Sequence, residues 1–208
     1  MSGHALYDID IKKYNHVNIQ IVKATKENFK EYGNFVYDYE NEIVEIVPFP
    51  INSNSKRKLY PNTGIGGGII EGEFIYCWKN NICYAHNKAV ENGEYIIAIK
   101  KNNHIYTREA NYHPDGGQVF YPLEKKPFIM LLALPIENDY IEPKDFIAFY
   151  FDGSCGLQIK PNIWHQPAFP LCDDMKFIGK QGKIHGCVCY DSVNEHNVLL
   201  CLNSLINI

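Results

Sequence analysis

The chain is cut into short β-branched and aromatic segments by Asn, Gly and Pro, and this punctuation constrains the fold more than any single motif. Glu73 to Trp78, Ile82 to Ala85, Tyr95 to Ile99 and His104 to Thr107 follow one another. Asn80-Asn81 and Asn92-Gly93 separate them, the second pair being a strong hairpin signal. Gln118 to Tyr121, Pro127 to Leu134, Ile147 to Phe151, Gly156 to Ile159 and Gly186 to Tyr190 continue the series. Val17 to Val22 (VNIQIV) alternates with the period of a half-buried strand. Helical signals are few. Thr25 caps a helix over Lys26 to Tyr32, Gly33 ends it, and Pro143-Lys-Asp-Phe forms a single turn. Val198 to Ile206 fits strand or helix equally well. Many short strands without βαβ alternation predict an all-β sandwich or barrel with one or two short helices.

At 208 residues and 46% hydrophobic the chain is sized for one domain, 1–208, with its own core. Ile43 to Val47 reads as a strand, and the polar stretch after Pro48 reads as a mobile loop, so 40–61 is a strand plus a loop insertion. A net charge of −4 gives no reason to expect nucleic acid or an anionic membrane as partner. Lys56-Arg57-Lys58, the one compact basic run, reads as solvated loop charge. No stretch has the roughly 20 apolar residues of a membrane span or the apolar centre of a signal peptide, which predicts a cytoplasmic protein. Seven cysteines without a C-x-x-C pair predict reduced, buried thiols. Cys187 and Cys189 share a strand face but have no second pair to complete a zinc site. Gly64 to Gly68 lacks the residues of a dinucleotide or phosphate loop and reads as a bend or bulge.

Two stretches carry polar residues at spacings that suggest a pocket. Asn111 and His113 lie two apart and share a strand face, and Gln118 returns after the turn Pro114-Asp-Gly-Gly117. His165 follows Trp164 in GLQIKPNIWHQPAFP, at the end of a later strand, and can supply a fourth group to the same lumen. Tyr112, Phe120 and Phe169 read as packing residues. His4, His16, His86, His104, His185 and His196 have no motif context and receive no role.

The arrangement resembles the cupins. Asn111-x-His113-(x4)-Gln118 is similar to their first motif, with amides in place of one His and the Glu. Gly156-(x4)-Pro161-Asn-Ile-Trp164-His165 is similar to their second. Within that superfamily the chain resembles the ureidoglycolate lyase (ureidoglycolate hydrolase) branch. The matching residues are Phe29-x-x-Tyr32-Gly33, His113-Pro114-(x3)-Gln118-x-Phe120-x-Pro122 and Gly156 to Pro167 with its Trp164-His165-x-Pro167. Glu109 falls where the branch tends to carry a Glu. The resemblance implies a cupin-type β-barrel or jelly roll and the elimination of urea from ureidoglycolate to give glyoxylate. It implies His113 and His165 as metal ligands or acid–base groups, and Glu109 as base or ligand. Gln118 would be a ligand or an orienting hydrogen bonder, and Lys160 the partner of the substrate carboxylate. The metal set would be Asn111, His113, Gln118 and His165 around nickel, zinc, manganese or iron. The substrate would be a small hydroxy acid carrying a ureido group, and family analogy suggests a homodimer. The chain departs from the branch at Lys160, where a family His stands, at Gln166, and at Ser192, where the family has Arg. These departures keep two alternatives open: a catalytically altered cupin that binds a small molecule, and another metal-dependent cupin reaction.

Overall fold

The computed structural model describes residues 10–47, 57, 59–60, 68–88 and 94–203. The fold is all-β. One sheet runs, in spatial order, Asn15–Ile19, Val198–Leu202, His104–Thr107, Glu94–Lys101, Ile82–Asn87, Ile69–Lys79, Asp174–Gly182, Gln118–Pro122, Gly156–Ile159 and Gly33–Val36. The second runs Ile21–Lys23, Ile147–Phe151, Phe128–Ala133, Trp164–His165, Glu109–Tyr112, Cys187–Asp191 and Leu59–Tyr60, with Phe169–Pro170 also paired to Phe128–Ala133. Among the described residues neither sheet closes on itself, so the cupin-like form is two facing open sheets. Phe128 joins them: its ring meets Phe177 of the first sheet edge-on at 5.0 Å and stacks on Phe151 of its own at 5.1 Å. Every residue of Phe128–Ala133 is buried, which is why this run is continuously apolar instead of alternating.

Several local expectations change in three dimensions. Val17 to Val22 is two strands, not one. The chain leaves the first sheet after Ile19 and enters the second at Ile21, making a parallel pair in each, with Val198–Leu202 and with Ile147–Phe151. The helix after Thr25 ends at Phe29, with Lys30 as an ordinary right-handed cap. Gly33 is not its terminator. It opens the strand Gly33–Val36, where a Cβ would overlap the carbonyl oxygen of Gln158 on the neighbouring strand. The requirement for glycine is therefore close backbone approach, not a left-handed turn. Ile43 to Val47 forms no strand. It contributes one isolated bridge, Ile46 to Gly116, because the turn it lies against offers no continuing ladder. Val198–Leu202 is strand, and Ser192–His196 is a short second helix capped by the Asp191 carboxylate. The Asn92-Gly93 turn, Gly64 to Gly67, and the loop residues 48–56 and 58 lie outside the described residues. All seven cysteines are free thiols, four of them buried. No helix among the described residues is long and apolar enough to cross a membrane.

Candidate functional site

A cleft of about 580 Å³, its open mouth included, lies between the sheets. Period-2 alternation along Glu109–Tyr112 builds one wall. Glu109, Asn111 and then His113 face the cleft, while Tyr112 turns away to meet Trp164 edge-on at 4.7 Å. Register adds the rest. Asn111 is directly opposite His165 on one side and Cys189 on the other. Gln118 sits opposite Gln181 in the first sheet. Glu109, Asn111, His113, Gln118 and His165 all line the cleft, with Gln166, His185, Cys187, Asn87 and Tyr95 beside them. No Lys or Arg is among its described lining residues.

His165 is buried and held at both ring nitrogens. Nδ1 lies 2.8 Å from the Ile163 carbonyl oxygen, and Nε2 lies 3.1 Å from the Gln118 amide. Burial, reinforced by the neighbouring His113, pushes its pKa down to about 3, so the ring is neutral and carries one proton. A carbonyl only accepts, which puts that proton on Nδ1 and leaves Nε2 as an acceptor. Gln118 must then present its NH2 group to His165 and its oxygen to Gln181, the flipped form of the amide assignment. The same flip in Gln181 gives it a donor for that oxygen, 2.7 Å away. The Gln181 oxygen then occupies the buried position of its amide that no donor reaches. The chain Gln181–Gln118–His165–Ile163 is thus one polar network that fixes the ring.

That network alters the expected ligand set. The His165 Nε2 lone pair and the Gln118 oxygen are both engaged by protein, whereas His113 is brought beside two residues without a motif. Its ring centroid is 4.3 Å from that of His185, and its Nδ1 is 3.5 Å from the Cys187 sulfur. His113, His185 and Cys187 are buried and offer one donor atom each, all within 4.8 Å of one another. Two imidazoles and a thiol are a donor set that suits a divalent transition ion, so these residues could hold one. Cys189, two residues on, differs: burial and the Glu109 carboxylate push its thiol up to about 12. Asn111 retains a buried amide oxygen with no donor. The only sequence signal for the missed pair is the spacing His185-x-Cys187 at the entry to a strand.

The other singled-out residues lie elsewhere. Lys160 is exposed on the far side of its turn, donating from Nζ to the Lys30 carbonyl at 2.7 Å, and is not brought to the cleft. Gln158 also points away, to the Ile43 carbonyl, so the departure at Gln158 to Lys160 does not change the cleft lining. Ser192 is buried and bonds the Val198 carbonyl. Gln166 does line the cleft, and its amide NH2 reaches the Glu109 carbonyl and the Thr107 hydroxyl. Arg57 is no solvated loop charge. Its guanidinium forms a bidentate pair with Glu195 at 2.5 and 2.6 Å and lies 5.5 Å from the Trp164 and Tyr190 ring centroids. It therefore braces the outer side of the Trp164-His165 strand.

Comparison with known proteins identifies a family. The family model described as ureidoglycolate lyase matches residues 16–199. A ureidoglycolate lyase of Agrobacterium fabrum is 36% identical over 157 residues, covering 74% of this chain and 77% of that protein. One from Azotobacter vinelandii is 35% identical over 71 residues, 34% of this chain. One from Pseudomonas paraeruginosa is 23% identical over 184 residues, covering 88% of this chain and 95% of its own length. The chain spans less than half the length of some of these relatives, 42% for the Azotobacter protein.

Proposed function

We infer the function from one premise: the chain belongs to the ureidoglycolate lyase family. Our reading is that it eliminates urea from ureidoglycolate and releases glyoxylate. The observation that carries this reading is the cleft itself, in which Glu109, His113 and His165 line one wall within the region that the family model matches.

The elimination moves one proton from the carbinol oxygen to the departing nitrogen, forms a C=O bond and breaks the C–N bond. A single carboxylate can make both transfers, and we assign them to Glu109, the only carboxylate among the described lining residues. His165, neutral and locked by Gln118, serves as a fixed polar wall instead of a proton carrier at neutral pH. Asn111, with a buried amide oxygen that no donor reaches, and Asn87 supply amide groups suited to a ureido group. A divalent ion, when bound, supplies the positive charge that stabilises the substrate carboxylate and the carbonyl oxygen as it forms. His113, His185 and Cys187 would hold it, and the thiol favours zinc, nickel or iron over manganese. Lys160 is given no part, because its ammonium is bonded at the surface.

The test is to incubate purified protein with ureidoglycolate, with and without zinc, nickel or manganese, and to follow glyoxylate. Release well above the spontaneous rate, lost in Glu109→Gln, is the expected result. Background release under every metal condition overturns the reading in favour of a binding protein.

A further inference from the structure

We propose that Asp115 is the positioning residue that assembles His113, His185 and Cys187 into one ligand set before any ion arrives. The proposal rests on the metal-assisted reading above and adds a residue that neither the motif nor the cleft lining includes. Asp115 is buried, with 2% of its surface exposed, and its two carboxylate oxygens take different backbone protons. Oδ2 accepts from the His185 N–H at 3.0 Å and Oδ1 from the Gly186 N–H at 3.1 Å. Charge-assisted bonds of this kind offset the desolvation of a buried carboxylate and fix the backbone that donates them.

The corner so fixed is an unusual one. His185 has φ +48°, a left-handed conformation that a side chain with a Cβ rarely adopts unless its surroundings hold it there. The segment that carries Asp115 grips the same corner a second time, because the Gly186 carbonyl lies 3.0 Å from His113 Nδ1. A carbonyl only accepts, so His113 donates to it from Nδ1. Residues 113–115 therefore hold Gly186 at both its N–H and its C=O. This single grip sets the position of the His113 ring, the His185 backbone and the start of the strand that carries Cys187. Space has been left for the carboxylate: a Cβ on Gly182 would overlap Asp115 Oδ2. A carboxylate placed just outside a ligand set and orienting it is the usual way in which protein tunes a metal site.

Cobalt(II) is the probe, since a bound thiolate gives it a near-ultraviolet charge-transfer band. Metal-free wild-type protein titrated with Co²⁺ should develop that band. Asp115→Asn keeps the size but turns an N–H donor against a backbone N–H. It should weaken Co²⁺ binding by about 10- to 100-fold. Gly182→Ala, which leaves Asp115 in place but displaces its carboxylate, should do the same. Ser192→Ala, which removes a buried hydrogen bond to the Val198 carbonyl away from the ligands, should leave Co²⁺ affinity unchanged. Wild-type affinity and an intact band in Asp115→Asn would overturn the proposal, as would a wild-type protein that binds Co²⁺ without a thiolate band. Protein that passes these tests but releases no glyoxylate would sink the lyase reading and leave this one standing.

Discussion

Acid should unfold this protein earlier than its carboxylates alone would require, and His165 is the reason. Its pKa of about 3 in the folded state lies below the ordinary value of 6.5. Between those values the unfolded chain binds a proton that the folded one refuses, so stability falls as the pH falls through that window. The linkage relation gives almost no penalty at pH 7 and about 2–3 kcal/mol by pH 4.5. The cause is geometric: the ring is fully buried, His113 is 4.9 Å away between centroids, and Gln118 occupies the nitrogen that would take the proton. His165→Gln removes the titration. The assay is urea unfolding of metal-free protein at pH 7, 5.5 and 4.5, wild type against variant. The variant should start less stable at pH 7, and the gap should narrow by about 2–3 kcal/mol at pH 4.5. Parallel pH curves for the two proteins would refute the argument that the ring is buried neutral.

Arg57→Ala should lower stability by about 1–2 kcal/mol, since it breaks a bidentate pair and uncovers two rings, and a double-mutant cycle with Glu195→Gln should return coupling of about 1 kcal/mol. Uncoupled single effects would mean that the pair contributes nothing. Gly33→Ala forces a methyl into the Gln158 carbonyl and should cost about 3 kcal/mol or more in denaturant unfolding. Lys160→Ala should leave kcat/KM for ureidoglycolate within about twofold of wild type, a hundredfold loss being the result that would return Lys160 to the cleft.

The fold class and part of one wall of the site were legible in the order of the residues. Turn residues between short apolar segments leave little but antiparallel sheets, and period-2 alternation puts Asn111 and His113 on one face, the face that Glu109, singled out by family resemblance, shares. Those are local rules, and they hold wherever the strand goes. Tertiary structure decided what that wall faces. Gln118 meets Gln181 only because strands 63 residues apart are in register, and that pairing commits Gln118 to His165. His185 and Cys187 join His113 only because Asp115 captures the corner between them across 70 residues. Lys160, one residue beyond the strand that ends at Ile159, is turned outward by a bond to Lys30 that no spacing predicts. Side-chain direction along a strand is a property of the backbone, whereas the choice of ligands and proton positions depends on contacts between distant segments, and only folding brings those together.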